Sequence, residues 1–149
     1  LCLRSNIRMR MPANKRTDAY LDVVEQAGLS ALVREVEFVK PDDEKGAVVA
    51  KILDENPDID GIFAGDDTMA AICLNVMKQR GLSAPDDIKV VGADGARRTM
   101  TFMPDLTTVR QDIDRIGELA AQSIIALING DNPESNIKLP VELIEGKTA

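Results

Sequence analysis

The chain has 149 residues, of which 44% are hydrophobic and 29% are charged, and its formal net charge is −7. This length allows one domain with a sizeable core, and the acidic balance disfavours a general nucleic-acid surface, which needs clustered Lys and Arg. The sequence contains no histidine, which excludes Ser-His-Asp and Cys-His catalysis and the usual zinc sites.

Helical and extended segments alternate along the chain, which predicts an α/β fold with a parallel sheet and helices on both faces. Extended segments are predicted at residues 1–4, 35–39, 59–64, 88–92 and 137–144. Amphipathic helices are predicted at residues 14–27, 43–56, 67–80 and 112–128. Asn14 is expected to cap the first helix, and a glycine is expected to end three helices, at Gly28, Gly81 and Gly130. The stretch 93–109 is predicted to be irregular.

The apolar spacing also predicts which helix faces are buried. In the first helix the inward residues are Ala19, Tyr20, Val23, Val24 and Ala27, and in the second they are Val48, Val49, Ile52 and Leu53. The last helix carries a broad apolar stripe made of Ile113, Ile116, Ala120, Ile124, Leu127 and Ile128. A stripe of this width must pack on something. Because an irregular crossing precedes the helix, we expect its partner to be another lobe.

Acidic side chains follow two predicted strands. Asp66 and Asp67 come after IDGIFAG, and Asp94 comes after IKVVG, a strand that is expected to break at Gly92. Ligands of open α/β sheets bind outside the carboxyl ends of the strands. Asp67 is placed to cap the helix that follows. The other two carboxylates are not needed as caps, so we interpret them as ligand contacts that accept hydrogen bonds from the hydroxyls of a polyol.

A cluster of acids could instead hold Mg²⁺ for phosphoryl chemistry, as in a response-regulator receiver or a magnesium-dependent enzyme. A receiver would also need a lysine at a late strand end. The chain has Ala93, Asp94 and Gly95 there, so this alternative is disfavoured.

Five basic residues lie near the start with no acid among them, namely Arg4, Arg8, Arg10, Lys15 and Arg16. They form a solvated loop, one wall of an anion site, or a local nucleic-acid contact, and the sequence leaves all three open. Arg16 is predicted to lie in the first helical turn, where the helix dipole opposes a cation. A ligand or an acid is therefore expected to meet it.

Other features bear on assembly and location. Met100, Phe102 and Met103 either pack a loop or form a contact patch for a second subunit. Cys2 and Cys73 are too few for a disulfide framework or a metal site, and Cys73 is expected in the core. No apolar run is long enough to span a membrane, and LCLRSNIRMR lacks the features of a secretory signal, which favours a cytoplasmic protein.

Five blocks of the sequence resemble the effector-binding core of the lactose/galactose-repressor family of bacterial transcription regulators. They are RTDAYLDVVEQAGL, FAGDDTMAA, RGLSAPDDIKVVGADG, PDLTTVRQDIDRIGELAAQSIIALING and LPVELIEGKT. The resemblance implies a periplasmic-binding-protein-like type I lobe in a protein that binds a sugar, with a phosphorylated sugar as an open alternative. It further implies a homodimer that reads operator DNA through a headpiece outside this chain. No catalysis, cofactor, metal or membrane contact is implied.

The resemblance also implies an organisation and a site. Residues 1–111 match the carboxyl-terminal lobe, 112–136 the helix that crosses to an amino-terminal lobe, and 137–149 the strand and tail that return. The expected effector contacts are Arg16, Asp66, Asp94 and Gln111, and the expected dimer contacts are Ala71, Ile72, Met100, Phe102 and Met103. Asp66 departs from the family's usual asparagine, and an ionised carboxylate only accepts hydrogen bonds. A free periplasmic sugar-binding protein of the same fold is the alternative function.

Overall fold

Strands and helices alternate along the chain, as predicted. The computed structural model describes residues 1–6, 12–37 and 39–149, except for the side chains of residues 5, 6 and 12–14. In chain order the elements are β1 (Cys2–Asn6), α1 (Pro12–Gln26), β2 (Val33–Glu37), α2 (Asp42–Glu55), β3 (Gly61–Ala64), α3 (Asp67–Gln79), β4 (Lys89–Asp94), α4 (Arg97–Phe102), β5 (Thr107–Gln111), α5 (Ile113–Ile128) and β6 (Val141–Ile144). The predicted α/β class is confirmed.

The described strands form one sheet in the order β2-β1-β3-β4-β5-β6, which is parallel except for the antiparallel pair of β5 and β6. From β1 the chain moves outward to β2, then returns past β1 to β3 and continues in that direction. Because such crossovers are right-handed, α1 lies on one face of the sheet, and α2 and α3 lie on the other. The reversal creates a switch point between β1 and β3, where open α/β sheets bind ligands.

The hydrophobic core fills the space between the sheet and the pair formed by α2 and α3. Its fully buried members include Leu3 on β1, Val90 on β4 and Cys73 on α3. The predicted inward face of α2 is confirmed, with Val49, Ile52 and Leu53 buried and Val48 partly buried. Burial raises the pKa of the Cys73 thiol to about 12, so this side chain acts as an apolar core residue.

The first helix differs from its prediction at both its start and its buried face. It begins at Pro12, so Asn14 lies inside it and the predicted cap is wrong. Proline is favoured in a first helical turn because its missing N–H would have no partner there. The predicted inward residues Ala19, Val23 and Ala27 are exposed, whereas Tyr20 and Val24 are half-buried. The ring of Tyr20 stacks on Phe63, with 6.4 Å between centroids, and this contact fixes the face that α1 presents to the sheet.

The stretch predicted to be irregular contains ordered elements. β4 continues through Gly92 to Asp94, and α4 and β5 follow it. The strand does not end at Gly92. Glycine is required there because Asp67 approaches the strand closely, and a Cβ would lie 2.5 Å from its Oδ1. β5 was not predicted because its sequence, TTVRQ, is polar. Thr107 and Thr108 are nevertheless buried, and the strand pairs with β4 and β6.

The predicted helix-ending glycines are confirmed, since Gly28, Gly81 and Gly130 have φ angles of 68°, 73° and 85°.

α5 buries none of its residues, and its apolar stripe is exposed, with Ile128 78% exposed. The tail after β6 returns to the sheet, where Thr148 donates from Oγ1 to the carbonyl of Val90 at 2.7 Å. In the parts of the chain that the structure describes, no helix is long and apolar enough to cross a bilayer.

Candidate functional site

Asp94 lies at the centre of a hydrogen-bonded group at the carboxyl edge of the sheet. Its Oδ1 accepts from Nη2 of Arg16 at 2.6 Å and from Nε2 of Gln111 at 2.7 Å. Arg16 also donates from Nη1 to the carbonyl of Gly65 at 2.6 Å, which links α1 to the ends of β3 and β4 beside the switch point. Three of the four predicted effector contacts are thus joined directly. The fourth, Asp66, is the next residue after Gly65.

Arg16 lies farther along its helix than predicted, although it meets an acid as expected. Because α1 begins at Pro12, Arg16 is the fifth residue of the helix and lies beyond the first turn. The helix dipole is therefore a smaller influence than predicted. The expectation that this cation meets an acid is confirmed by its ion pair with Asp94.

Asp94 is held in a backbone conformation that L residues rarely adopt. Its φ is 108°, and it is the one non-glycine residue with a positive φ in the described parts of the chain. Gly95 follows with a φ of 59°, so the chain turns sharply as it leaves β4. A strained residue of this kind costs about 1–3 kcal/mol and persists where its surroundings fix it, often at ligand sites. Here Arg16 and Gln111 are the fixing contacts.

The structure corrects the predicted cap of α3. Asp66, and not Asp67, is the N-cap of α3, because its Oδ1 accepts from the backbone N–H of Met69 at 2.8 Å. It has the extended backbone that a capping residue needs, with φ −153° and ψ 169°. The prediction that Asp66 is not needed as a cap is therefore wrong. Capping uses one of its two carboxylate oxygens, so its predicted effector contact remains a prediction.

We expect Asp66→Ala to lower the free energy of unfolding by about 1 kcal/mol, because it removes the side-chain acceptor of the cap. Asp66→Asn should leave stability nearly unchanged, since asparagine caps helices as well as aspartate does. Urea denaturation of the two variants and the wild type measures both effects. Equal losses in the two variants would mean that charge, and not capping, is what Asp66 contributes to stability.

Asp67 is a residue of this region that the sequence did not assign to the site. It is 3% exposed, and its Oδ1 accepts from Oγ1 of Thr108 on β5 at 2.5 Å. Burial raises the pKa of its carboxyl, while the Thr108 hydroxyl and the backbone N–H groups of Ala96 and Gly95 oppose the shift. The sequence signal for a buried aspartate was the pair of adjacent aspartates at the start of α3, because only one of the two can be the cap.

The basic residues near the start are only partly described. Arg4 forms an ion pair with Glu35, and Arg16 forms one with Asp94, while Lys15 is exposed. Arg8 and Arg10 lie outside the described residues, so the anion-site interpretation stays a prediction. Within residues 1–6, 12–37 and 39–149, no group of three or more Asp, Glu or Cys residues could hold a metal ion.

The predicted dimer contacts divide into buried and exposed residues. Ile72 is 8% exposed and belongs to the core, and Ala71 and Met103 are half-buried. Met100 is also half-buried, whereas Phe102 is 75% exposed at the end of α4. The contact patch therefore stays a prediction, with Phe102 as the member best placed to meet another molecule.

Comparison with known families matches the whole chain, residues 1–149, to the periplasmic binding protein-like domain. The ribose operon repressor of Halalkalibacterium halodurans is 31% identical over 138 residues, which are 92% of this chain and 41% of that protein. The sucrose operon repressor of Pediococcus pentosaceus is 34% identical over 140 residues, 93% of this chain and 43% of that protein. The chain thus spans less than half the length of these relatives.

Solved structures agree with the sequence relatives. A LacI-family transcriptional regulator from Arthrobacter sp. FB24, in complex with lactose, superposes with a TM-score of 0.83 at 25% identity. The superposition covers 99% of this chain and 56% of that one. The family model, the relatives and the fold agree, and the chain belongs to the periplasmic binding protein-like domain family, in the form found in regulators of the lactose/galactose-repressor group.

Proposed function

We propose that this chain is part of the effector-sensing domain of a bacterial transcriptional repressor that responds to a sugar. The observation that carries the proposal is the joining of Arg16, Asp94 and Gln111 at the carboxyl edge of the sheet, beside its switch point. Relatives above 30% identity are named as repressors of sugar operons, which favours this function over a free periplasmic sugar-binding protein and over an enzyme.

The chemistry of the site supports a ligand rich in hydroxyl groups. Arg16 and Gln111 direct donors at the same oxygen of Asp94, so part of the donor capacity of the site is already used within the protein. The carboxylate oxygens of Asp66 and Asp94 are hydrogen-bond acceptors. A neutral sugar supplies the matching donors. An anionic sugar would meet these two carboxylates, and of the basic residues near the start Arg4 and Arg16 are already paired with acids.

The proposed mechanism is a shift between two lobe arrangements. Residues 1–111 form the carboxyl-terminal lobe, 112–136 cross to an amino-terminal lobe, and 137–149 return. The exposed apolar stripe of α5 supports this division, because a stripe of that kind normally packs on a partner surface. A sugar that binds one arrangement more tightly than the other shifts the population toward it and so changes the affinity for DNA.

The partners follow from the same proposal. The repressor acts in the cytoplasm as a homodimer, and it contacts operator DNA through a headpiece outside this chain. The formal charge of −7 supports the absence of a DNA-binding role for this chain itself. The proposed dimer contact consists of Ala71, Ile72, Met100, Phe102 and Met103, of which Phe102 is the most exposed.

A thermal-shift screen of the full-length protein tests the proposal. The panel contains ribose, sucrose, lactose and cellobiose, together with glucose 6-phosphate and fructose 6-phosphate. A sugar present at a hundredfold excess over its Kd should stabilise the protein by about 2.7 kcal/mol. Arg16→Ala should abolish the shift, because it removes the donor that holds Asp94.

Lys15→Ala is the matched control for this experiment, since Lys15 is the exposed cation next to Arg16 on the same helix. It should leave the shift intact. A stabilising sugar whose effect survives Arg16→Ala would place the binding site elsewhere. No response to any sugar would argue against a sugar effector. Tight binding of only the two sugar phosphates would support an anionic effector.

A further inference from the structure

The buried carboxylate of Asp67 lies against β4 and β5, the strands that carry Asp94 and Gln111. Asp67 begins α3, directly after the cap. Its Oδ1 receives the hydroxyl of Thr108, a residue of β5 that is fully buried. Gln111 lies on the same strand, three residues farther on. One carboxylate oxygen thus joins the start of α3 to the strand that carries Gln111.

Asp67 also lies close to the turn that carries Asp94, since Asp67, Asp94 and Ala96 line the same cavity. The backbone N–H groups of Gly95 and Ala96 lie close enough to act on the carboxylate electrostatically, and both follow Asp94 directly. The buried Oδ2 of Asp67 has no hydrogen-bond partner in the described parts of the chain. These two N–H groups favour the ionised carboxylate of Asp67, whereas the charge of Asp94 opposes it, so Asp67 interacts electrostatically with the turn in which Asp94 adopts its positive φ.

The neighbouring strand is shaped around this carboxylate. In the register of β4 and β5, Thr108 pairs with Gly92, whose missing side chain leaves the space that Oδ1 of Asp67 occupies. Placing a charged group in a buried position costs free energy that an apolar residue would not. The chain nevertheless keeps a carboxylate here, in contact with two elements that each carry a predicted effector contact.

We propose that Asp67 is a positioning residue, which holds the turn carrying Asp94 and the strand carrying Gln111 in the relative geometry that binds the effector. The inference rests on the proposed function, because it concerns the same site. Asp67 itself touches no effector in this scheme. It acts through Thr108 on one side and through the backbone of Gly95 and Ala96 on the other.

The test compares two buried threonines of β5 in the full-length protein. Thr108→Val removes the hydroxyl that binds Asp67. Thr107→Val is the matched control, because Thr107 is also buried but its hydroxyl accepts from the backbone N–H of Gly146, away from the site. The Kd values for ribose, sucrose, lactose and cellobiose are measured by titration calorimetry, and the urea midpoint of each variant is measured in parallel.

We expect Thr108→Val to weaken sugar binding roughly tenfold, the scale of losing one hydrogen bond to a charged group. Thr107→Val should keep the wild-type Kd at a comparable urea midpoint, and Thr108→Ser, which restores the hydroxyl, should recover the affinity. Equal effects of the two valine variants on Kd, or an unchanged Kd in Thr108→Val, would overturn the inference.

Asp67→Asn provides a second test that does not depend on the folding of Thr108→Val. The amide keeps an acceptor for Thr108 but loses the charge that attracts the N–H groups of Gly95 and Ala96, so sugar binding should again weaken roughly tenfold. Crystal structures without sugar provide a readout that needs no effector. The contact from Gln111 to Asp94 should be lost in Asp67→Asn and kept in Thr107→Val, and its retention in both would overturn the inference even if no sugar binds.

Discussion

Gly95→Ala should lower the free energy of unfolding by about 3 kcal/mol, because alanine is opposed there by both backbone conformation and space. The φ of Gly95 is 59°, a left-handed value that costs an L residue roughly 1–2 kcal/mol. A Cβ would also lie 2.6 Å from Cα and 2.5 Å from Cβ of Arg110 on the paired strand. Overpacking of that kind adds about 1–3 kcal/mol, since the backbone of β5 would have to move.

Gly81→Ala separates the two causes. Gly81 also has a left-handed backbone, with φ 73°, but a Cβ there would have no other atom within 4 Å. This variant should lose only the conformational part, about 1–2 kcal/mol. Urea denaturation of both variants gives the difference directly. Equal losses would show that β5 moves aside freely at Arg110, and the assigned cost of the close approach would be wrong.

The sequence predicted the core of the fold well because that part is built from apolar periodicity. The inward face of α2, the burial of Cys73 and the ends of three helices at glycine all followed from spacing and backbone preference. β5 was missed because its buried residues are threonines, whose hydroxyls are satisfied by Asp67 and by the tail. Polar atoms paired inside a sheet leave no signal in hydropathy.

The site was predicted only in part, and the errors have a local cause. Arg16, Asp94 and Gln111 were brought together by the resemblance and by the rule that strand ends converge. The cap of α3 was assigned to Asp67 and is Asp66, because a shift of one residue in the start of α3 decides which aspartate caps and which is buried. The strain at Asp94 leaves no trace in the sequence, since its cause is the set of contacts around it.

Asp94 should trade stability against binding, and two substitutions separate these effects. Asp94→Ala removes the carboxylate but keeps an L residue at φ 108°, whereas Asp94→Gly removes the carboxylate and relieves the strain. Both variants lose the hydrogen bonds from Arg16 and Gln111. After the greater flexibility of glycine in the unfolded chain is counted, Asp94→Gly should be about 1 kcal/mol more stable than Asp94→Ala.

Both variants should bind the effector about 100-fold more weakly, because a hydrogen bond to a charged group contributes about 1.5–3 kcal/mol. Urea midpoints and titration calorimetry on the same two proteins measure the pair of effects. A higher stability of Asp94→Gly with lost binding would mean that the strained conformation is retained for the ligand and not for the fold. If the alanine variant were the more stable one, the positive φ would carry no penalty, and if either variant bound sugar normally, Asp94 would not be an effector contact.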